Sequence, residues 1–372
     1  MNGNYLNLNT GLKKMVNKIN IGLLGAGRIA GHHIKAIKKI KGLNLIAICD
    51  LIESKRKFYG TKFKINTYKH YFEMLKIEKN IDLVVVMSPS GMHFEHSLNI
   101  IKKFKKNVVI EKPPCMNPSQ ITTLYRQAKK YNKKIFPVFQ NRNNKCILKV
   151  KDLINKKDLG DIRLINLTLR WCRTQRYYDL STWRGTFSHD GGALTNQGIH
   201  YIDLLRHLFG EIRSVKSKMK TFGAKIEVED SVVGILEFNS GALGTLEVTT
   251  SARPKDYGAI ISVVGSKGYA KISGLAANIL EEYSLNKKFC KRYSEKIPDA
   301  YGYGHFKMYR DIKLDLEKSK KYPIQPQDCI NTIKLLNSFY VSDEKNKPVN
   351  VLKSRDSKRL GKKNEKISKL YR

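Results

Sequence analysis

One candidate for acid–base chemistry is Lys112, which follows a short apolar run and stands between Glu111 and the prolines Pro113-Pro114. The prolines stiffen the backbone just beyond the lysine. A lysine that is partly removed from water can hold a substrate oxygen or exchange a proton with it. An ordinary solvated lysine is the alternative, since lysines are abundant along the whole chain. The rigid position at a strand end favours a role in chemistry.

A second candidate group lies on a helix predicted to begin after Gly191-Gly192. Asn196 and His200 are four residues apart and therefore share a face of that helix. Histidine titrates near neutral pH and suits general acid–base work, and Asp203 could orient it from behind. A core histidine that packs and makes one hydrogen bond is the alternative. The glycine pair opens backbone space before the helix and favours function.

The first element that positions these residues is a strand, a glycine turn and a helix. The chain runs in order through Ile19–Leu24, Gly25-Ala26-Gly27, Arg28-Ile29 and Ala30. In a dinucleotide-binding turn, the first glycine permits the tight turn and the second lets the backbone approach a pyrophosphate. The phosphates bind the free N–H groups at the positive end of the helix. The alternative is a glycine-rich turn in an unrelated α/β protein.

A second predicted strand, 43–49, ends in Asp50, where a ribose-binding acid is expected. A carboxylate at this position repels the 2′-phosphate of NADP, so Asp50 favours NAD as the cofactor. Lys55 and Arg56 lie nearby and act in the opposite direction. NAD is therefore the predicted cofactor, ahead of NADP.

Strands and helices alternate from Ile19 to about Val138, which predicts an α/β domain with a doubly wound parallel sheet. Ligands of such sheets bind beyond the carboxyl ends of the strands. Glycines and polar residues follow these ends. The predicted cofactor-binding residues are Gly25, Gly27, Arg28, Ile29, Asp50, Ser88, Pro89, His93, Glu111 and Lys112.

The second half of the chain has a different pattern, with strand-like stretches joined by Gly, Asn and Ser turns. It predicts a separate α+β domain with a large, mostly antiparallel open sheet. The predicted boundaries are a flexible extension at 1–18, a Rossmann domain at 19–139, a substrate-binding and oligomerisation domain at 140–350, and a solvated basic tail at 351–372. The predicted substrate-binding residues are Asn141, Arg142, Trp183, Arg184 and Asn196, and Lys112, His200 and Asn196 are the predicted catalytic residues.

The composition limits the other functions. The 372 residues carry a formal charge of +38, which would suit a nucleic-acid binder. Lysines are nevertheless spread over nearly every predicted surface, as in a chain from an A+T-rich genome, and no nucleic-acid motif accompanies them. The six scattered cysteines fit reduced thiols, and no metal-ligand spacing is present. Without a secretory signal or an apolar run long enough for a membrane span, we expect a cytoplasmic protein.

With these residues in place, the sequence resembles the family of glucose–fructose oxidoreductase, inositol 2-dehydrogenase and MocA over about residues 19–350. The motifs that carry the resemblance are Gly25-Ala26-Gly27-Arg28-Ile29-Ala30, Ser88-Pro89-Ser90-Gly91-Met92-His93, Glu111-Lys112-Pro113, and Gly191-Gly192 followed by Gly198-Ile199-His200-Tyr201-Ile202-Asp203. The resemblance implies tightly held NAD(P), a Lys–His pair near the nicotinamide, and a homo-oligomer, dimer or tetramer, formed through the C-terminal sheet.

One departure from the family pattern concerns Asn196, where many members have Asp. Asn cannot take a proton, so it would only orient a hydroxyl. Asn at this position resembles the branch of the family that oxidises UDP-linked N-acetylhexosaminuronic acids at C3 for surface polysaccharides. The stretch Tyr301-Gly302-Tyr303-Gly304-His305 also resembles nucleotide-sugar relatives. We therefore predict an NAD-dependent oxidation of a sugar hydroxyl, with the sugar nucleotide-linked. A free-polyol dehydrogenase remains open, as does a module that binds NAD or nucleic acid without turnover.

Overall fold

The computed structural model describes residues 18–372. The flexible extension expected at 1–18 therefore lies, apart from Lys18, outside the described residues. No helix within 18–372 combines the length and the apolarity that a membrane crossing requires.

The N-terminal sheet is built from six parallel strands with the order β3-β2-β1-β4-β5-β6. This order reverses beside β1, and the crevice at such a reversal is where doubly wound sheets bind dinucleotides. The central strands are apolar on both faces because helices cover both. The strands are β1 (Ile19–Leu24), β2 (Leu43–Cys49), β3 (Asn66–Tyr68), β4 (Leu83–Val86), β5 (Asn107–Ile110) and β6 (Ile135–Pro137).

The C-terminal sheet has eight strands in the order β13-β12-β11-β7-β10-β9-β8-β14, antiparallel except for the pair β7 and β10. Its inner face carries alternate buried residues, and the other face is largely open. Both predicted sheets are thus confirmed. The strands are β7 (Ile162–Arg170), β8 (Ile212–Lys220), β9 (Ser231–Phe238), β10 (Leu243–Thr249), β11 (Gly258–Gly265), β12 (Tyr269–Ser273), β13 (Ile279–Tyr283) and β14 (Val349–Asn350).

The helices pack on the parallel sheet and on the inner face of the open sheet. They are α1 (Ala30–Lys39), α2 (Glu53–Phe63), α3 (Tyr71–Ile77), α4 (His93–Asn99), α5 (Pro118–Lys130), α6 (Lys145–Asn155), α7 (Gln175–Tyr178), α8 (Ile199–Phe209), α9 (Lys288–Tyr293), α10 (Gly304–Leu316), α11 (Pro326–Lys345) and α12 (Glu365–Lys369). Asn117 caps α5 by accepting the amide of Gln120, with Pro118 at the first helical position, as its sequence predicts. A π-helical turn, Leu194–Gly198, precedes α8.

The C-terminal residues differ from the solvated basic tail that their charge predicts. Leu360 is 1% exposed, Ser357 and Ser368 are buried, and α12 lies within this segment. The Ser357 hydroxyl donates to Glu344 Oε1 at 2.5 Å, and Arg359 Nη2 donates to a carboxylate on α11 at 2.7 Å. The lysines project outward, but the few apolar and small residues between them pack against the rest of the chain.

Candidate active site

The turn after β1 has the backbone that its glycines predict. Gly25 has φ +104°, and a Cβ there would lie 2.8 Å from Met87 O, so both conformation and space require glycine. A Cβ at Gly27 would project into open space instead, with no atom within 4 Å. The backbone at Gly27 is therefore open to a ligand lying across the turn, which fits a pyrophosphate.

Asp50 lies at the carboxyl end of β2 and braces this turn. Its Oδ2 accepts the amide of Ala26 at 2.7 Å, and its Oδ1 accepts the amide of Ile52 at 2.8 Å. The carboxylate still has lone pairs for ribose hydroxyls. Arg56 donates to the carbonyl oxygens of Asp50 and Leu51 at 3.2 Å, which places a cation beside this position.

The turn continues into Arg28 and Ile29, which precede α1. Ile29 stands at the N-cap of α1 with helical φ and ψ, and Ala30 is fully buried against the sheet. The guanidinium of Arg28 lies 5.9 Å from the ring centre of Tyr177, which belongs to the second domain. Arg28 thus reaches across the crevice between the two domains.

Ser88 and Pro89 follow β4 and border the same turn, since a Cβ at Gly25 would be 3.4 Å from Ser88 N. His93, expected beside the cofactor, is 1% exposed and contacts the carbonyl oxygens of Pro113 and Ser88 through its two ring nitrogens at 2.7 and 2.8 Å. Burial lowers the pKa of His93, while both carbonyl contacts oppose that shift. His93 therefore ties the Ser88 loop to the Lys112 loop and acts by positioning.

Glu111 is 7% exposed and lies in a polar cluster beneath the crevice. His33 Nε2 is 2.9 Å from Glu111 Oε1, His33 Nδ1 is 2.6 Å from Tyr309 Oη, and His305 Nε2 is 3.9 Å from Glu111 Oε1. The Glu111 carboxylate also accepts the amide of Lys112 at 3.0 Å. Burial would raise the pKa of Glu111, but His305 and His33 bring it well below its usual value. The carboxylate is charged and anchors the backbone of the candidate catalytic lysine.

The sequence predicts no metal site, since no single element has ligand spacing. The structure nevertheless brings one ligand atom each from His33, Glu111 and His305 within 4.8 Å of one another, from three distant parts of the chain. The hydrogen bonds of His33 account for its two nitrogens. Both ring nitrogens of His305 are buried without a partner among the described residues.

Lys112 meets Asn196 across the domain boundary, as expected of a shared site. Lys112 Nζ donates to the Asn196 carbonyl oxygen at 2.6 Å and to its Oδ1 at 3.2 Å. The Asn196 amide donates in turn to Asp190 Oδ1, and Asp190 Oδ2 accepts the amide of Gly185 at 2.8 Å. Burial lowers the pKa of Lys112, with Arg184 and Arg173 adding to this and Glu111 and Asp190 opposing it. The amine can therefore lose its proton more readily than a free lysine.

Asp190 explains why residue 196 is Asn. It is 1% exposed, and burial raises its pKa. Four groups lower the pKa in opposition: the Gly185 amide, Asn196, Arg184 and Lys112. An aspartate at 196 would set two carboxylates against each other, whereas the amide of Asn196 donates to Asp190 and accepts from Lys112. The sequence reasoning missed Asp190, although an acid directly before two glycines was a signal that could have found it.

His200 lies in the first turn of α8, four residues after Asn196, and is close enough to Lys112 to feel its charge. Its Nδ1 is buried without a hydrogen-bond partner among the described residues. Burial, followed by the charge of Lys112, lowers the pKa of His200 to about 3. The imidazole is therefore neutral at pH 7 and can accept a hydrogen bond or a proton.

Arg142 was expected to bind an anionic substrate, and the structure corrects this. Its Nε and Nη2 donate to Asp203 at 2.6 and 2.5 Å, and its Nη1 donates to Asp328 at 2.5 Å. Arg142 is 8% exposed, so its guanidinium is committed to two carboxylates inside the second domain. Asp203 is thereby also removed from the role of orienting His200. Arg142 lies on the short 3-10 segment Gln140–Asn143, Asp203 on α8 and Asp328 on α11. Arg142 and Asp328 are 186 residues apart, so spacing in the sequence could not reveal their contact.

A second cationic group does lie at the crevice. Arg184 hydrogen-bonds Tyr177 Oη, and its guanidinium is 4.3 Å from the Tyr177 ring centre and 4.7 Å from the Trp183 ring centre. Arg173 lies 5.6 Å from the same tyrosine ring and was missed from the sequence. Burial raises the pKa of Tyr177, and Asp190 adds to this. Arg28 and Arg184 form a positive wall around Tyr177, whereas Arg173 is paired with Asp256 at 2.9 Å.

The remaining predicted residue, Asn141, is 4% exposed and lies on the short 3-10 segment Gln140–Asn143, which links the two domains. Its backbone carbonyl accepts the amide of Asn144 at 3.1 Å. A role for its side chain in substrate binding stays a prediction.

Known proteins can be compared with this geometry. Residues 19–139 match the NAD-binding Rossmann-fold model of the oxidoreductase family GFO/IDH/MocA, and residues 147–271 match the C-terminal domain of that family. The chain belongs to the GFO/IDH/MocA family. It is an NAD-dependent oxidoreductase that acts on CH–OH groups of sugars or polyols.

Two solved relatives resemble the whole fold. The WlbA dehydrogenase from Chromobacterium violaceum, in complex with NADH and UDP-GlcNAcA, is 30% identical, with a TM-score of 0.83 over 90% of this chain and 96% of that chain. The WlbA dehydrogenase from Bordetella pertussis, with the same two ligands, is 28% identical, with a TM-score of 0.82 over 90% and 98%. Myo-inositol 2-dehydrogenase from Thermotoga maritima is 28% identical over 256 residues, 67% of this chain and 73% of that protein. Relatives at this level of identity therefore include an enzyme that is named for a free polyol.

Proposed function

We propose that this protein oxidises a ring secondary alcohol of a nucleotide-linked sugar acid, as a step in making surface-polysaccharide precursors. The observation that carries the proposal is the positive wall of Arg28 and Arg184 around Tyr177, beside Lys112; Arg173, which also lies there, is already paired with Asp256 at 2.9 Å. A neutral polyol has no negative group that could pair with these cations, whereas a sugar with a carboxylate or a diphosphate has one. The WlbA relatives, which bind UDP-GlcNAcA, support the same substrate class.

The chain's own residues have the roles that this oxidation requires. Gly25 and Gly27 would hold the pyrophosphate of NAD, which would supply the hydride acceptor. Two of the three Lys112 donors are used by Asn196, so the third can hold the substrate oxygen. His200, which is neutral at pH 7, accepts a hydrogen bond from the hydroxyl and takes its proton as the hydride leaves, when the substrate oxygen has become strongly acidic. Asn196, fixed by Asp190, orients a neighbouring hydroxyl.

The test follows absorbance of reduced cofactor with UDP-GlcNAcA, UDP-GlcNAc and myo-inositol as separate substrates. We expect turnover with UDP-GlcNAcA, much less with UDP-GlcNAc, and a fall of at least 10²-fold in Lys112→Ala, the usual range for losing a positioned proton-transfer group. Lys134→Ala is the matched control, because Lys134 Nζ also binds the carbonyl and carboxylate of one residue, Asp315, away from the crevice. Turnover with myo-inositol alone would favour the polyol alternative.

We also propose that two or more copies associate through the open face of the C-terminal sheet. Leu164, Val233, Ile235 and Leu243 project from this face, each more than half exposed. The register places Leu243 directly beside Leu164. Contiguous apolar residues on a sheet face indicate an interaction surface.

A further inference from the structure

The C-terminal residues 353–372 leave the second domain and end on the Rossmann domain. Their first half lies on α11 and on the loop that precedes α8. Leu360 fills the space in front of Gly191, where a Cβ would lie 2.7 Å from Leu360 Cδ1. Gly361 donates its amide to Phe187 O at 2.8 Å.

The second half reaches α4 of the Rossmann domain. Ser368 Oγ is 3.3 Å from His189 Nε2, and the carbonyl oxygen of Tyr371 accepts from His96 Nε2 at 3.0 Å. Arg372 binds both carboxylate oxygens of Glu95, at 2.7 and 3.0 Å. One continuous segment therefore bonds to both domains.

Between these contacts the two domains touch each other. Gly91, which follows Ser88 and Pro89, donates its amide to His189 O at 3.1 Å. A Cβ at Gly91 would lie 2.3 Å from Ser188 O, so the approach leaves no room for a side chain. The C-terminal segment contacts both sides of this seam, through His189 on one side and His96 on the other.

His96 connects the segment to the crevice. A carbonyl oxygen can only accept, so the Tyr371 contact requires the proton on His96 Nε2. His96 is neutral at pH 7, because burial above all lowers its pKa to about 4. Its Nδ1 then carries only a lone pair and must accept from the Ser88 hydroxyl, which lies 2.9 Å away. The hydroxyl proton of Ser88 is thereby used, and only its lone pairs remain for a ligand.

We propose that residues 353–372 form an interdomain clasp that closes over the cofactor crevice and, through His96, makes Ser88 a hydrogen-bond acceptor toward NAD. The clasp thus increases affinity for the cofactor in two ways. It holds the Ser88 loop against the loop at 187–191, and it fixes the direction of the Ser88 hydroxyl. His96 and Tyr371 are positioning residues, since they act through Ser88.

The clasp predicts a specific pH dependence when it is removed. The groups that face His96 are Glu95 and the Tyr371 carbonyl, which raise its pKa, His93 and Arg372, which lower it, and the ring of Tyr71, 4.9 Å away. Without the clasp His96 is open to water, and its pKa returns toward 6.5. Protonated His96 donates from both nitrogens, so Ser88 must turn and direct its proton into the crevice. NAD binding should then weaken as pH falls below about 6.5.

The experiment measures NAD affinity by titration calorimetry at pH 8.0 and 5.5 in full-length protein and in a chain ending at residue 362. We expect the shortened chain to bind NAD about tenfold more weakly at pH 8.0, with a further loss of about tenfold at pH 5.5. The full-length protein should change less than threefold between the two pH values. Shortened His96→Gln, which cannot titrate, should lose the pH effect. Full-length Lys366→Ala, which removes an exposed cation of the same segment and none of the contacts named above, is the matched control and should bind nearly as the parent does.

Equal NAD affinity of the full-length and shortened proteins at both pH values would overturn the proposal, as would a pH effect that persists in shortened His96→Gln. Hydrogen exchange of the full-length protein gives a measurement that does not depend on the shortened chain folding. NAD should slow exchange in residues 88–93 and 362–372 together. An exchange rate in residues 362–372 that does not change when NAD is added would also refute the proposal.

Discussion

Replacement of Arg142 by lysine separates a structural role for this residue from a substrate-binding one. The change keeps the charge but removes the planar fork that binds Asp203 and Asp328. Asp203 is 1% exposed, so a carboxylate that loses its partners there stays out of water. Breaking a buried ion pair costs about 3–5 kcal/mol, and lysine recovers part of this, so we expect a loss of about 2–4 kcal/mol in the free energy of unfolding.

The matched control is Arg372→Lys, because Arg372 makes the same two-bond contact with Glu95, at 2.7 and 3.0 Å. That pair lies away from the open sheet, with its side chains 39% and 35% exposed, against 9% and 1% for Arg142 and Asp203. An exposed pair contributes about 0–1 kcal/mol, so Arg372→Lys should shift the urea midpoint little. The difference between the urea midpoint shifts of the two variants measures how much burial adds to the contribution of the ion pair to stability.

The assay is urea unfolding followed by fluorescence at pH 7.5, together with KM and kcat for each folded variant. Arg142→Lys should lower the urea midpoint and leave the KM of the remaining folded enzyme within about threefold of the parent. Parent-like stability combined with a large increase in KM would show that Arg142 contacts the substrate after all, and the structural reasoning would be refuted.

Three further predictions concern other parts of the chain. Gly25→Ala should weaken NAD binding at least tenfold in calorimetry, because φ +104° and the contact with Met87 O both exclude a Cβ; unchanged affinity would contradict the fit. Burial raises the pKa of Glu229 to about 8, so this group makes stability fall as pH rises from about 4.5 to 8. In Glu229→Gln the urea midpoint should change less with pH over that window than in the parent. An equal pH dependence of the midpoint in the two proteins would contradict the raised pKa of Glu229. Val233→Lys should lower the mass measured by light scattering, whereas an unchanged mass would mean that this face is not the interface.

Local patterns in the sequence determined the elements and much of the cofactor site. Alternating apolar runs mark the strands of both sheets, because burial on one or both faces leaves a period that can be read directly. Gly25 and Asp50 were identifiable because a tight turn and a strand-end acid are local requirements, and the structure places Asp50 on the amide of Ala26. Lys112 and Asn196, which the sequence separately predicts to serve the site, lie in contact although they are 84 positions apart.

Tertiary structure decided which charged residues remain available for chemistry. Arg142 and Asp203 have the residue types of a site, but each is paired with a group distant in the chain, and no local pattern shows such a pairing. The basic tail became a packed segment for a similar reason, since Leu360 and the Tyr371 carbonyl contact distant parts of the chain while the lysines around them stay exposed. Sequence sets the residue types and their local geometry; long-range pairing and burial determine which of them face the substrate.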